Sequence, residues 1–346
     1  MKSRGSNGNP KRLKSAWLTL PGYWTDWQTV KRKQPELSAS MPTLVRAVQE
    51  MYIDKLVPRE RGEFARVLMI HGLFHRSWAV ETYFSDPLSQ WEPVASRQDS
   101  GQILTARTWL PANPIFARWQ NSACDVMDIL HWQAQATMAQ ANGHEHPTVQ
   151  YLHTARIVLL APYREVICLA RFLGPQPEEG MRTKTGGLLD IIRNWAIGQQ
   201  YKARLSVVHA GATFWYARRY SVDSFCEAPS IALAALTLWA FGVFAKRETS
   251  RSSYRAQQAD PTEPDDSCRV ILLDRPTDDE LVQRFIRYGG SMEAHLGGVG
   301  DLYDAQSPEL VLQQGCKLLR QAEKTWGVAK GWRSILEKIS THWKRN

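Results

Sequence analysis

APSIALAALTLWAFGVFA, residues 228–245, carries no charge over eighteen positions and is bracketed by Arg218-Arg219 upstream and Lys246-Arg247 downstream. As an α-helix it would be roughly 27 Å long, close to the thickness of a bilayer's hydrocarbon core. Two folds follow from that length: a single membrane span, or the central helix of a bundle, apolar on every side because every side is covered. Pro229 and Ser230 sit in the first turn, six alanines dilute the hydrophobicity, and the flanking chain is amphipathic. These features favour the buried central helix and predict no membrane partner; the alternative is a membrane-associated helical protein anchored by 228–245.

Outward from this segment the dominant signal is helix. Residues 113–141 open on Asn113-Pro114, a cap followed by proline in the first turn, and place Phe116, Trp119, Ala123, Val126, Leu130, Ala134 and Met138 three or four apart. A second helix follows GHEHP, with Pro147 in its first turn, and runs through Val149, Leu152, Ala155, Leu159, Val166 and Leu173, with Pro162 kinking or breaking it. Further helices are predicted over 42–57, 62–84, 187–222, 224–246, 277–294, 308–325 and 329–343. Two have sharp starts, Arg275-Pro276-Thr277-Asp278-Asp279-Glu280 and Ser307-Pro308-Glu309, where proline meets acidic residues suited to the positive end of a helix dipole. CRVILLD at 268–274 is a short β-like run with no evident partner to build a sheet. The fold class is therefore all-α, a large irregular helical bundle around a buried central apolar helix.

With 346 residues, 43% of them hydrophobic, and 14 Trp, the chain can bury a sizeable core. The net charge of +9 invites a nucleic-acid reading, but residues 1–66 hold 13 Lys/Arg against 6 Asp/Glu, so +7 of it lies there. Residues 1–38 are expected to form a basic, largely disordered arm, and 39–346 a helical domain interrupted by a polar, flexible linker at 249–267. Such an arm offers DNA at most non-specific, salt-sensitive phosphate contact. Cys124, Cys168, Cys226, Cys268 and Cys316 are scattered, with no CxxC pair, as expected of reduced thiols in an intracellular chain.

The densest group of chemically active side chains is HEHPTVQYLH at 144–153, with His131 upstream in DILHWQAQ. His131, His144, His146 and His153 surround one predicted helix hairpin and, with Asp125 and Asp128, form the one cluster a helical enzyme could use. The spacing lacks the His-Glu-x-x-His pattern of a metal helix. Structural roles suffice: His144 or Glu145 caps the second helix, and His131 and His153 satisfy polar atoms at the seam. No metal, cofactor or catalytic residue is therefore assigned. There is no Gly-x-Ser-x-Gly elbow and no phosphate-binding loop; GGVGD at 297–301, placed after a helix, is expected to be a turn. The Asp278-Asp279 pair suits a helix N-terminus better than acid–base chemistry.

Several long blocks then occur in order: NSACDVMDILHW, GHEHPTVQYLHTARIVLLAP, HAGATFWYARRYSVDSFCEAPSIALAALTLWAFG, LDRPTDDELVQRFIRYGGSMEAHLGGVGD, LQQGCKLLRQ and WGVAKGW. Together, over roughly residues 40–340, they resemble the fungal-specific transcription factor domain, in the version that follows a pair of two-cysteine two-histidine zinc fingers. The resemblance implies an all-helical regulatory or effector region of a transcription factor acting on RNA polymerase II, located in the nucleus and without enzyme activity. Its partners would be proteins of the transcription machinery. Zinc and specific DNA contact would belong to the finger module; no cysteine precedes Cys124, so neither is expected of this chain.

Overall fold

The computed structural model describes residues 42–57, 62–85, 114–140, 147–172, 179–245, 270–275, 279–289 and 292–343. Among them are eleven α-helices: α1 (Leu44–Ile53), α2 (Glu63–Ser85), α3 (Pro114–Gln140), α4 (Pro147–Leu160), α5 (Tyr163–Phe172), α6 (Glu179–Arg193), α7 (Gln200–Arg219), α8 (Glu227–Phe244), α9 (Asp279–Tyr288), α10 (Ser307–Ala322) and α11 (Val328–Trp343). Three short strands accompany them: β1 (Val270–Leu272), β2 (Glu293–Leu296) and β3 (Gly300–Asp301). The all-α class is thus the observed one. The arm at 1–38 and the linker at 249–267 lie outside the described residues.

The chain divides into two compact units at Ala134/Gln135. In the first, Thr43 caps α1 by accepting from the Arg46 N–H at 3.3 Å. Beyond α1 the chain turns at Lys55, whose φ of 56° is left-handed. The Lys55 ammonium donates to the Ser122 carbonyl at 2.8 Å and to Ser122 Oγ at 2.5 Å, and lies 5.0 Å from the centre of the Tyr52 ring. Burial lowers the lysine's pKa, outweighing the opposing effect of Asp125. Two oxygen acceptors and an aromatic face all favour the charged form, so this is a cationic staple from the end of α1 to α3.

In the second unit six helices are arranged around α8. Of its eighteen residues, all but Pro229, Gly242 and Val243 are buried. α4, α5, α6, α7, α10 and α11 all pack on it. The uniform apolarity of 228–245 is therefore matched by cover on every side, as the sequence predicts of a central helix. Close approach needs small residues: a Cβ on Gly315 of α10 would stand 2.8 Å from Ala235 Cβ. At the far end Trp239 and Phe244 both meet Trp343 of α11 edge-on, with ring centres 5.2 and 6.1 Å apart. The few hydroxyls inside α8 bond to its own backbone, Thr237 to the Leu233 carbonyl at 2.8 Å and Ser230 to that of Cys226 at 2.7 Å.

Pro162 breaks the helix as expected, separating α4 from α5. The break frees carbonyls at the end of α4, and that of Leu160 accepts the buried indole N–H of Trp195 at 2.9 Å. The predicted single helix over 187–222 is instead two. A π-helical turn, Asn194–Gly198, interrupts it and turns Trp195 and Ala196 into the core. Gly198, a weak helix former, sits at the end of that turn.

The predicted helix over 277–294 stops at Tyr288. Gly289 follows, and Glu293–Leu296 is strand β2, pairing in parallel with β1 and antiparallel with β3. The β-like run at 268–274 thus has the partner that the sequence did not reveal. It docks on α7 where Gly211 leaves room: a Cβ there would lie 2.4 Å from the Leu273 carbonyl oxygen. GGVGD is a turn, but it follows strand β2 rather than a helix and closes the β2–β3 hairpin, with φ of 77° at Gly298 and 92° at Gly300.

Trp239→Ala should destabilise the protein by about 3–5 kcal/mol, because the surrounding helices cannot collapse onto the space left. Ala235→Asp, which buries a carboxylate against Gly315, should be at least as damaging. Denaturant unfolding of both variants measures this; a loss below ~1 kcal/mol for Trp239→Ala would contradict the packing described.

Candidate functional site

The polar side chains of the second unit collect where α4 crosses α7 and the N-terminal end of α8. His153 of α4 and His209 of α7 face each other with Nδ1 atoms 2.9 Å apart and ring centres 5.2 Å apart. At that distance one ring supplies an N–H and the other a lone pair, so the two Nδ1 atoms share one proton. Beside them Thr154 Oγ1 lies 2.7 Å from Ser230 Oγ. Cys226 Sγ lies 3.2 Å from Ser224 Oγ and 3.6 Å from Gln150 Oε1.

This cluster does not have the arrangement of a nucleophilic site. Burial pushes the Cys226 thiol pKa up, so the thiol keeps its proton, the reverse of an activated cysteine. Tyr151 is pushed up as well, by burial and by its hydrogen bond with Cys226. Glu227 is buried and accepts from Ser221 Oγ at 2.6 Å, the Val222 N–H at 2.9 Å and the Ser224 N–H at 3.1 Å. Its carboxylate thus organises the connector before α8 and lies at that helix's positive end. The chemistry on show is the fixing of backbone and the satisfaction of buried polar groups.

The histidines named from sequence are placed as follows. His131 is half-buried on α3, and burial lowers the pKa of its imidazole. Asp125 and Asp128, on the same helix, are exposed. His144, His146 and Glu145 lie outside the described residues. His153 is in the second unit, where its ring faces His209 of α7. Among the described residues no group of three or more His, Cys, Asp or Glu side chains is placed to hold a metal ion.

GGVGD has a structural anchor. The Asp274 carboxylate accepts from Arg218 Nη1 at 2.7 Å and from the Gly297 N–H at 3.1 Å, while Arg218 Nη2 donates to the Gly297 carbonyl at 2.9 Å. One ion pair thereby ties the end of α7, the turn after β1 and the hairpin turn together. Of the acidic pair, Asp279 stands in the first turn of α9 beside Glu280, and Asp278 lies outside the described residues. At the other end of α9, buried Arg204 of α7 donates to the carbonyls of Ile286 and Arg287, both at 3.1 Å.

The sequence signals for His209, Glu227 and Arg204 were weak. His209 and Arg204 each reach a partner 56 or more residues away, and Glu227 binds two backbone N–H groups and a hydroxyl of the connector before it. Helical spacing puts His209 on the inward side of HAGATFWYARRY but cannot say which helix it meets.

Burial of His131 sets a sign for pH dependence. Above its ordinary pKa of 6.5 the ring is neutral in folded and unfolded chains alike. As pH falls through that value the unfolded chain takes up the proton first, so this contribution to stability declines. Melting temperatures of the parent and His131→Gln, compared between about pH 7.5 and about pH 5.5, should show the parent losing ground to the variant on acidification. Parallel curves would refute it.

Comparisons with protein-family models, with curated proteins and with solved structures give no match to this chain, so the placement of the site rests on its geometry alone.

Proposed function

We propose that this chain is the regulatory or effector region of a nuclear fungal transcription factor, working through protein partners of the transcription machinery. The observation that carries the proposal is the ordered set of sequence blocks resembling the fungal-specific transcription factor domain. The fold is consistent with it: an all-helical body in which the block containing 228–245 is the central helix. The polar seam fits the same reading, since its thiol is protonated and its carboxylate is engaged by backbone. α8 is long and apolar enough to cross a bilayer, but neighbouring helices occupy the faces that lipid would need.

Fused to a heterologous DNA-binding domain in a fungal reporter strain, the full chain should raise or lower transcription, and a fluorescent fusion should concentrate in the nucleus. A stable fusion that leaves the reporter at its control level, or stays out of the nucleus, would overturn the proposal. Any DNA binding by the chain on its own should come from the basic arm at 1–38, show no sequence preference and fade steeply with salt. A gel shift that resolves a preferred site and survives ~200 mM salt would contradict this.

A further inference from the structure

Two connectors of the second unit are locked together. The first, residues 220–226 between α7 and α8, is wrapped on the Glu227 carboxylate, with Asp223 in the left-handed region at φ 54°. The second is the turn between α10 and α11, where the Trp326 indole N–H donates to the Asp223 carbonyl at 2.6 Å. Phe225 is steadied from behind by Tyr151 of α4, with ring centres 6.4 Å apart.

These connectors nevertheless display large apolar side chains: Val222 is 58% exposed, Phe225 57%, Trp326 38% and Val328 56%. Single exposed apolar residues are ordinary on a protein surface. Three on two hydrogen-bonded connectors, the first fixed by a buried carboxylate, together with Val328 at the start of α11, form a pre-organised apolar patch with a tryptophan in it, the composition of an interface hot spot. Its borders are basic. Arg219, Lys324 and Lys330 are exposed beside it in sequence, against the exposed carboxylate of Asp223, while that of Glu323 is held by Arg333 at 2.5 Å.

We propose that this end of the second unit is a docking surface for an amphipathic helix of another protein, whose apolar face is bordered by Asp and Glu. The apolar patch takes the hydrophobic face and the three cations meet the acidic border. An anionic lipid surface shares part of this chemistry. Lipid-binding segments, however, cluster about 4–8 Lys/Arg, and the indole N–H that would seek the headgroup layer is already bound to Asp223. The inference does not rest on the transcription reading.

Random peptides long enough for about four helical turns, displayed on phage, test it against the full chain. Val222→Glu/Val328→Glu serves as counter-target, and both substituted positions are exposed, so near-ultraviolet circular dichroism should match the parent. Enriched peptides should carry apolar residues at i, i+3 or i+4 and i+7 with Asp/Glu beside them. By fluorescence anisotropy a synthetic copy should bind the parent at least ~10-fold more tightly than that variant. Lys324→Glu/Lys330→Glu should weaken the same peptide and favour a version with Lys in place of its acids. No enrichment, enriched peptides that bind the Val222→Glu/Val328→Glu variant equally, or indifference to the lysine reversal would overturn the proposal. So would patch-dependent binding to phosphatidylserine vesicles without peptide enrichment, which would assign the surface to lipid.

Discussion

The need to cover α8 governs the second unit. A helix with no polar face has no stable orientation at a surface, so each neighbour must present an apolar stripe to it and each crossing must be close. That requirement explains the small residues at contacts, Gly315 against Ala235 above all, and the edge-on ring of Trp343 closing the end. It also fits that hydroxyls inside α8 donate to backbone carbonyls one turn earlier, while Ser230 Oγ additionally meets Thr154 of α4.

Where α4 and α7 meet the N-terminal end of α8, polarity enters the core and is consumed locally. The two histidines share one proton and Glu227 collects two backbone N–H groups and a hydroxyl, while near the start of α7 Arg204 finishes α9 through its carbonyls. Each arrangement discharges the penalty of a buried polar group without a second charge of opposite sign in the contacts just named. Asp274 and Arg218, nearer the surface, use an ion pair instead, and there it holds three chain segments at once.

Much of this was legible in the sequence because helical periodicity is local. The stripe from Phe116 to Ala134, the break at Pro162 and the central role of 228–245 all follow from neighbours within a few residues. What was not legible depends on distant partners. Val270–Leu272 becomes a strand only beside Glu293–Leu296, and Gly289, which ends α9, sits inside a stretch whose apolar spacing still reads as helix. The π-helical turn at Asn194–Gly198 is equally hidden, since one extra residue in a turn leaves the composition unchanged. Of the candidate site, His153 was visible but His209 was not: two histidines 56 residues apart become a pair only after α4 and α7 have packed. The functional reading came from long ordered blocks, to which local physics contributes only the fold.

The dependence of α8 on cover from both sides has a consequence for synthesis. α4 to α7 precede α8 in the chain, but α10 begins at Ser307 and α11 ends at Trp343. A ribosome therefore completes the apolar helix about a hundred residues before it completes the last helix that shields it, an interval of roughly 5–20 s at 5–20 residues per second. During that interval the nascent chain presents α8 with one flank bare. A chain stopped between residues 245 and 306 would lack both helices that cover that flank.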